Sequence, residues 1–233
     1  MGGGSVFTAI KTKHPKVLYR VNDLNSDVYC FWSTLQKKPD ELQKAVLEIK
    51  KGCSDGKSLH RNLAQSKTAG VFGKALRYYV LNRISYSGTV DSGGYSAEAF
   101  EKRFTLSKIE MLPTIADLLK KVRITNKSYE DLLFKKGEDV FIFLDPPYWT
   151  PRKTPLYGKK GDLNKFFNHQ QFAENVKKCK HKWLITCDDS VYIRKLFSFA
   201  QIYPWQLKYN GLHKKKAVNG KELFITNFKL GFQ

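Results

Sequence analysis

Val140-Phe141-Ile142-Phe143-Leu144 is an unbroken apolar run with no polar alternation. That pattern predicts a central strand buried on both faces, which occurs almost only in mostly parallel sheets covered by helices. The rest of the chain supplies the alternation such a sheet needs. Val6 to Ile10 reads as a short helix, and Val17 to Val21 is β-prone before the turn residues Asn22-Asp23-Leu24-Asn25. Val28, Phe31, Trp32 and Leu35 recur at helical spacing behind the caps Asn25 and Ser26. Pro39 suits the first turn of a following helix that carries Leu42, Val46 and Ile49 on one face. Ile115, Leu118, Leu119 and Val122 mark a helix leading into a short strand over 122–125. Beyond a Pro/Gly/Lys-rich loop, 150–164, the pattern predicts a helix from about His169 to Lys180, a strand over Trp183 to Thr186 and a helix over 190–198. Two extended segments, Gln201 to Tyr209 and Glu222 to Phe228, flank the basic loop His213 to Lys216. The fold class is therefore α/β, mostly parallel, with a C-terminal antiparallel hairpin.

Between residues 52 and 112 the alternation lapses. Gly, Ser, Lys and Arg become frequent, and Asn82-Arg83-Ile84-Ser85-Tyr86-Ser87-Gly88 is polar, basic and aromatic at once. Residues 38–112 read as a mainly helical lobe inserted into a domain formed by 1–37 and 113–233. No repeat is visible. The formal net charge of +20 points to a polyanionic partner, most commonly nucleic acid. No stretch approaches the roughly twenty apolar residues of a membrane span, and the first residues lack a secretory pattern. Cys30, Cys53, Cys179 and Cys187 have neither C-x-x-C spacing nor a nearby His, which argues for reduced thiols and against a metal site. A cytoplasmic compartment follows as the expectation.

Asp145-Pro146-Pro147-Tyr148 sits directly after the apolar strand, where open α/β sheets bind ligands. Two successive prolines offer carbonyl acceptors and no amide donors, on a backbone of fixed φ. The aspartate adds an acceptor and the tyrosine a flat face. Together they suit a planar ring bearing –NH₂, whose two hydrogens need two acceptors. An isolated Pro-Pro would more simply end a strand; the acid before it and the aromatic after it favour chemistry. Gly2-Gly3-Gly4-Ser5 alone fits a loose tail as well as a nucleotide loop, and Asp23 alone is more often a helix cap than a ligand residue.

These segments, in order, resemble the Dam-type (D12 class) adenine-N6 DNA methyltransferases. Gly2-Gly3-Gly4-Ser5-Val6-Phe7 is similar to the family's cofactor loop. Asn22-Asp23-Leu24-Asn25 with Asp27-Val28-Tyr29 is similar to its second motif, and Asn82 to Gly88 to a segment of its DNA-recognition lobe. Asp145 to Tyr148 is similar to its catalytic tetrapeptide, and Leu184 to Asp189 and Glu222 to Asn227 to two later strand motifs. The resemblance implies a Rossmann-like methyltransferase sheet and S-adenosylmethionine as cofactor. It assigns catalysis to Asp145, Pro146, Pro147 and Tyr148, and cofactor contacts to Gly2, Gly3, Gly4, Ser5, Asp23, Tyr129 and Asp145. Double-stranded DNA is the implied partner, held by Arg77, Arg83, Ser85, Tyr86, Ser87, Lys214, Lys215 and Lys216. Ser128 stands where the family usually has an acid, before the aromatic Tyr129. Family members also carry a segment ahead of the glycines, with a Gly-Gly-Lys motif and a first strand, whereas Met1 directly precedes Gly2 here. Three readings stay open: a fragment, one half of a split enzyme completed by a second polypeptide, or a DNA-binding copy unable to hold the cofactor.

Overall fold

The computed structural model describes residues 1–149, 167–209 and 218–231; the loop 150–164 and the basic loop with Lys214, Lys215 and Lys216 lie outside the described residues. The chain divides into two compact units, Met1–Ser128 and Tyr129–Gln233.

In the first unit α1 (Ser5–Lys13) precedes β1 (Arg20–Asn22) and α2 (Ser26–Lys37), and α3 (Pro39–Gly52), α4 (Gly56–Gln65) and α5 (Gly70–Ile84) follow. The unit closes with α6 (Ala97–Arg103), α7 (Leu106–Glu110), α8 (Leu112–Leu118) and β2 (Arg123–Thr125). Local chemistry sets these boundaries. Asn25 Oδ1 accepts the Asp27 amide at 2.9 Å and caps α2, while Pro39 opens α3 where its missing N–H costs nothing. Asp55, Ser96 and Thr105 cap α4, α6 and α7 in the same way. The predicted face of α2, with Val28, Phe31, Trp32 and Leu35, is buried against Leu42 and Val46 of α3 and Ala75, Tyr79, Val80 and Ile84 of α5. Phe31 stacks on Tyr79 with centroids 5.6 Å apart. The helices of segment 38–112 thus share one core with α2.

β1 and β2 pair in parallel, with Val21 opposite Ile124. The strand expected over 17–21 is shorter and shifted, because β2 offers only three residues to pair with; Leu18 is left 90% exposed.

The second unit holds α9 (Glu130–Leu133), β3 (Phe141–Leu144), α10 (His169–Lys178), β4 (Lys182–Asp188), α11 (Val191–Leu196), β5 (Gln201–Tyr209) and β6 (Val218–Thr226). Its strands run in the order β3-β4-β6-β5. β3 and β4 are parallel, whereas β6 enters antiparallel between β4 and β5. The C-terminal hairpin is as expected. Two expectations need correction. The described strands form two sheets rather than one, with parallel and antiparallel pairs in equal share. The apolar run 140–144 is also not buried on both faces: β3 ends the order of its sheet, and Phe141 is 51% exposed. β4 takes the central place instead, with Trp183, Ile185 and Cys187 in a core shared with Phe172, Val176, Phe197, Leu223 and Ile225. Among the described residues no helix is long and apolar enough to cross a membrane.

Candidate functional site

In the first unit the glycine loop and the end of β1 are joined by one carboxylate. Asp23 Oδ2 accepts the Gly2 amide at 2.8 Å and the Met1 nitrogen at 3.1 Å, and Oδ1 accepts the Asn25 amide at 2.9 Å. Trp32 Nε1 donates to the Gly2 carbonyl at 2.9 Å. Gly2 and Gly4 both have positive φ, 49° and 76°, which glycine adopts without steric cost. Gly4 has a second reason to lack a side chain: a Cβ there would stand 2.5 Å from Trp32 Cζ2. Gly3 has open space around it, and Ser5 begins α1, exposed. Asn22 and Asn126 brace the other side. Asn22 Oδ1 accepts from Thr125 Oγ1 and the Lys127 amide, and Asn126 Nδ2 donates to the carbonyls of Asp23 and Leu24. Gly4→Ala combines a left-handed backbone with an indole clash, so it should destabilise this unit by about 1–3 kcal/mol. A lowered urea midpoint checks this; an unchanged one refutes it.

The residues expected at DNA occupy different places in this unit. Arg77 is 12% exposed at its side chain and sits between two carboxylates, Nη1 3.2 Å from Asp27 Oδ2 and Nη2 3.6 Å from Asp91 Oδ1. Its Nε donates to the Leu63 carbonyl at 2.9 Å. Ser85 is wholly buried, in a bridge with Tyr95. Arg83, by contrast, is half-buried with its guanidinium 5.3 Å from the Tyr79 ring centre and has no carboxylate within ion-pair distance among the described residues. Tyr86, 52% exposed, and the exposed Ser87, at φ 51°, form the turn Tyr86–Gly88 just beyond α5. Arg103 joins this turn: Nη2 donates to the Asn82 carbonyl at 2.8 Å, and burial, then the charge of Arg83, lowers its pKa. Gly88 leaves room for that guanidinium, since a Cβ would stand 2.8 Å from Arg103 Nη2.

In the second unit the bend Asp145-Pro146-Pro147-Tyr148 leaves the end of β3 with Asp145 exposed and the next three residues half-buried. β4, its parallel neighbour, holds it through two side chains on one face of the strand, Thr186 and Asp188. Thr186 Oγ1 donates to Asp145 Oδ1 at 2.8 Å, and Asp188 Oδ1 accepts the Trp149 amide at 2.8 Å. His169, at the start of α10, places Nε2 2.9 Å from the Pro147 carbonyl. Trp149 stacks on Tyr192 with centroids 4.9 Å apart. Among the described residues Asp145 forms no ion pair. Cys187 lies next along β4; burial, then Asp188, Asp145 and Glu222, pushes its pKa far up, so it stays a neutral thiol and a poor nucleophile. Tyr129 packs edge-on to Phe172 at 5.1 Å, its hydroxyl accepts from Asn175 Nδ2 at 3.0 Å, and burial pushes its pKa up to about 12.

A rigid, donor-free bend whose acid is oriented by a neighbouring strand is suited to gripping an amine without attacking it. The family described as D12 class N6 adenine-specific DNA methyltransferase matches residues 1–210. The chain belongs to that family. The family's reaction is N6 methylation of adenine in DNA. The comparison with curated proteins returns no match.

Proposed function

We propose that the chain transfers the methyl group of S-adenosylmethionine to N6 of an adenine flipped out of duplex DNA. The observation that carries this reading is the disposition of acceptors on the bend. Asp145 Oδ1 is taken by Thr186 and the Pro147 carbonyl by His169, which leaves the second Asp145 oxygen and the Pro146 carbonyl for the two N6 hydrogens. Two acceptors on one –NH₂ favour a pyramidal nitrogen with its lone pair free, which adenine N6 lacks while conjugated with its ring. Tyr148 supplies the stacking face. Flipping costs a few kcal/mol of lost stacking and pairing, so positioning and electrostatic fit provide the rate. The sulfur–methyl bond would break as the N6–methyl bond forms, its electron pair staying on sulfur to give a neutral thioether, and one N6 proton would leave to solvent; no residue of the chain acts as nucleophile.

The first unit fits the cofactor. A Cβ at Gly2 or Gly3 would meet nothing within 4 Å, so the backbone there is open to close approach by a ligand. A carboxylate has about four acceptor sites, and Asp23 uses three, which leaves capacity for a ribose hydroxyl. When bound, S-adenosylmethionine supplies an electrophilic methyl group. Ser5, at the start of α1, is a further proposed cofactor contact in this unit. Residues 38–112 are proposed as the DNA-recognition lobe within a catalytic domain of 1–37 and 113–233. Arg83, Tyr86 and Ser87 of that lobe and the lysines 214–216 of the catalytic domain are the proposed DNA contacts, with Arg77 and Ser85 supporting the lobe from within.

Incubation with tritiated S-adenosylmethionine and DNA, RNA or protein tests the reading. Label should enter DNA and be recovered as N6-methyladenine after digestion; label in RNA or protein alone overturns it. Arg83→Gln should weaken DNA binding evenly across sequences and lower the slope of log affinity against log salt by about 1, the signature of one lost phosphate contact. An unchanged slope removes Arg83 from the DNA face.

A further inference from the structure

His169 lies outside every sequence motif that resembles the family. It is the first residue of α10, behind the cap Asn168, whose Oδ1 accepts the Gln171 amide at 3.0 Å. Its ring stands edge-on to Phe167, with centroids 4.9 Å apart, and Phe167 in turn packs on Phe172 in the core. The imidazole thus packs, through Phe167, against the core of the second unit. From that position Nε2 lies 2.9 Å from the Pro147 carbonyl oxygen. A carbonyl only accepts, so Nε2 carries the proton and donates. Pro147 has no N–H of its own, and this bond ties α10 directly to the bend.

The tie also decides which acceptors face the substrate. Two adjacent proline carbonyls and one carboxylate offer an –NH₂ group two ways to be held: across Asp145 and Pro146, or slipped by one residue onto Pro147. In the slipped register the nitrogen moves away from the carboxylate. We propose that His169 is a positioning residue for methyl transfer, which by capturing the Pro147 carbonyl fixes the bend and confines the amine to Asp145 and the Pro146 carbonyl. The inference rests on the methyltransferase reading and adds to it the residue that sets the register of the amine.

Two substitutions separate this role from plain packing. His169→Phe keeps a flat ring beside Phe167 and deletes the donor; His169→Gln restores a donor at about the reach of Nε2. Single-turnover transfer of tritiated methyl to unmethylated bacterial genomic DNA should slow about tenfold in His169→Phe, the scale of one lost hydrogen bond in the transition state. Its DNA affinity should stay within about twofold of wild type, and His169→Gln should recover most of the rate. Wild-type speed in His169→Phe, or equal loss in both variants, overturns the inference while the methyltransferase reading stands. A wild-type chain that transfers nothing to DNA overturns both. Nitrogen-15 spectra of the free protein give a readout independent of activity: the His169 ring should be the Nε2–H tautomer, and an Nδ1–H tautomer overturns the assignment.

Discussion

Asp145→Ala should cut methyl transfer by at least about a thousandfold, the upper range for losing one preorganised electrostatic contact, while the protein stays folded. Asp145 is exposed, so its removal opens no cavity, and Thr186 Oγ1 keeps the Leu144 carbonyl as an alternative acceptor at 3.5 Å. The loss should therefore fall on the rate and leave melting within a degree or two. Asp145→Asn retains one acceptor oxygen and should fall between wild type and Asp145→Ala. Substrate binding is expected to change far less than turnover, because the carboxylate matters most when the nitrogen becomes tetrahedral and its hydrogens more acidic. Tritium transfer at saturating cofactor and DNA, beside circular dichroism of the same samples, makes the comparison. A rate within tenfold of wild type for Asp145→Ala would remove the bend from the chemistry.

The elements set by local chemistry were readable in the sequence. Asn25 before α2, Pro39 at the start of α3 and the apolar spacing of Val28 to Leu35 act through neighbours within four residues, and the structure carries them through. The bend was readable because its four residues are consecutive. Sheet order was not. The apolar run 140–144 gives no sign that Phe141 is half exposed, since that depends on β6 pairing with β4 rather than β3. Nor do the supports of the bend announce themselves. Thr186, Asp188 and His169 lie 22 to 41 residues from their partners, and each is an ordinary strand or helix residue in its own neighbourhood. The missing signal at His169 is spatial: a lone histidine at a helix start gains its meaning only from the carbonyl opposite.

Arginines show the same limit most sharply, because Arg77 and Arg83 sit six positions apart on α5 and read alike in sequence. What separates them is the location of acids: Asp27, 50 residues away, and Asp91 close on Arg77, and no described carboxylate does so on Arg83. Arg77→Met should consequently destabilise the first unit by about 3–5 kcal/mol, the cost of leaving a largely buried partner charge uncompensated. Asp27, 18% exposed at its side chain, would be that charge, and the Leu63 carbonyl at the end of α4 would lose its donor as well. In thermal denaturation the shift should amount to roughly 10 °C or more. Arg77→Lys should recover little, since an ammonium has no planar fork with which to span two carboxylates and a carbonyl. Neutralising the orphan should help more: Asp27→Asn added to Arg77→Met should regain a sizeable part of the loss, and the coupling read from the double-mutant cycle should be about 0.5–3 kcal/mol, on the scale of contacting groups. The salt dependence of DNA binding by the folded fraction should be unchanged in Arg77→Met, the reverse of Arg83→Gln. A variant that melts like wild type yet binds DNA with a lower salt slope would return Arg77 to the DNA-facing surface and reverse this assignment.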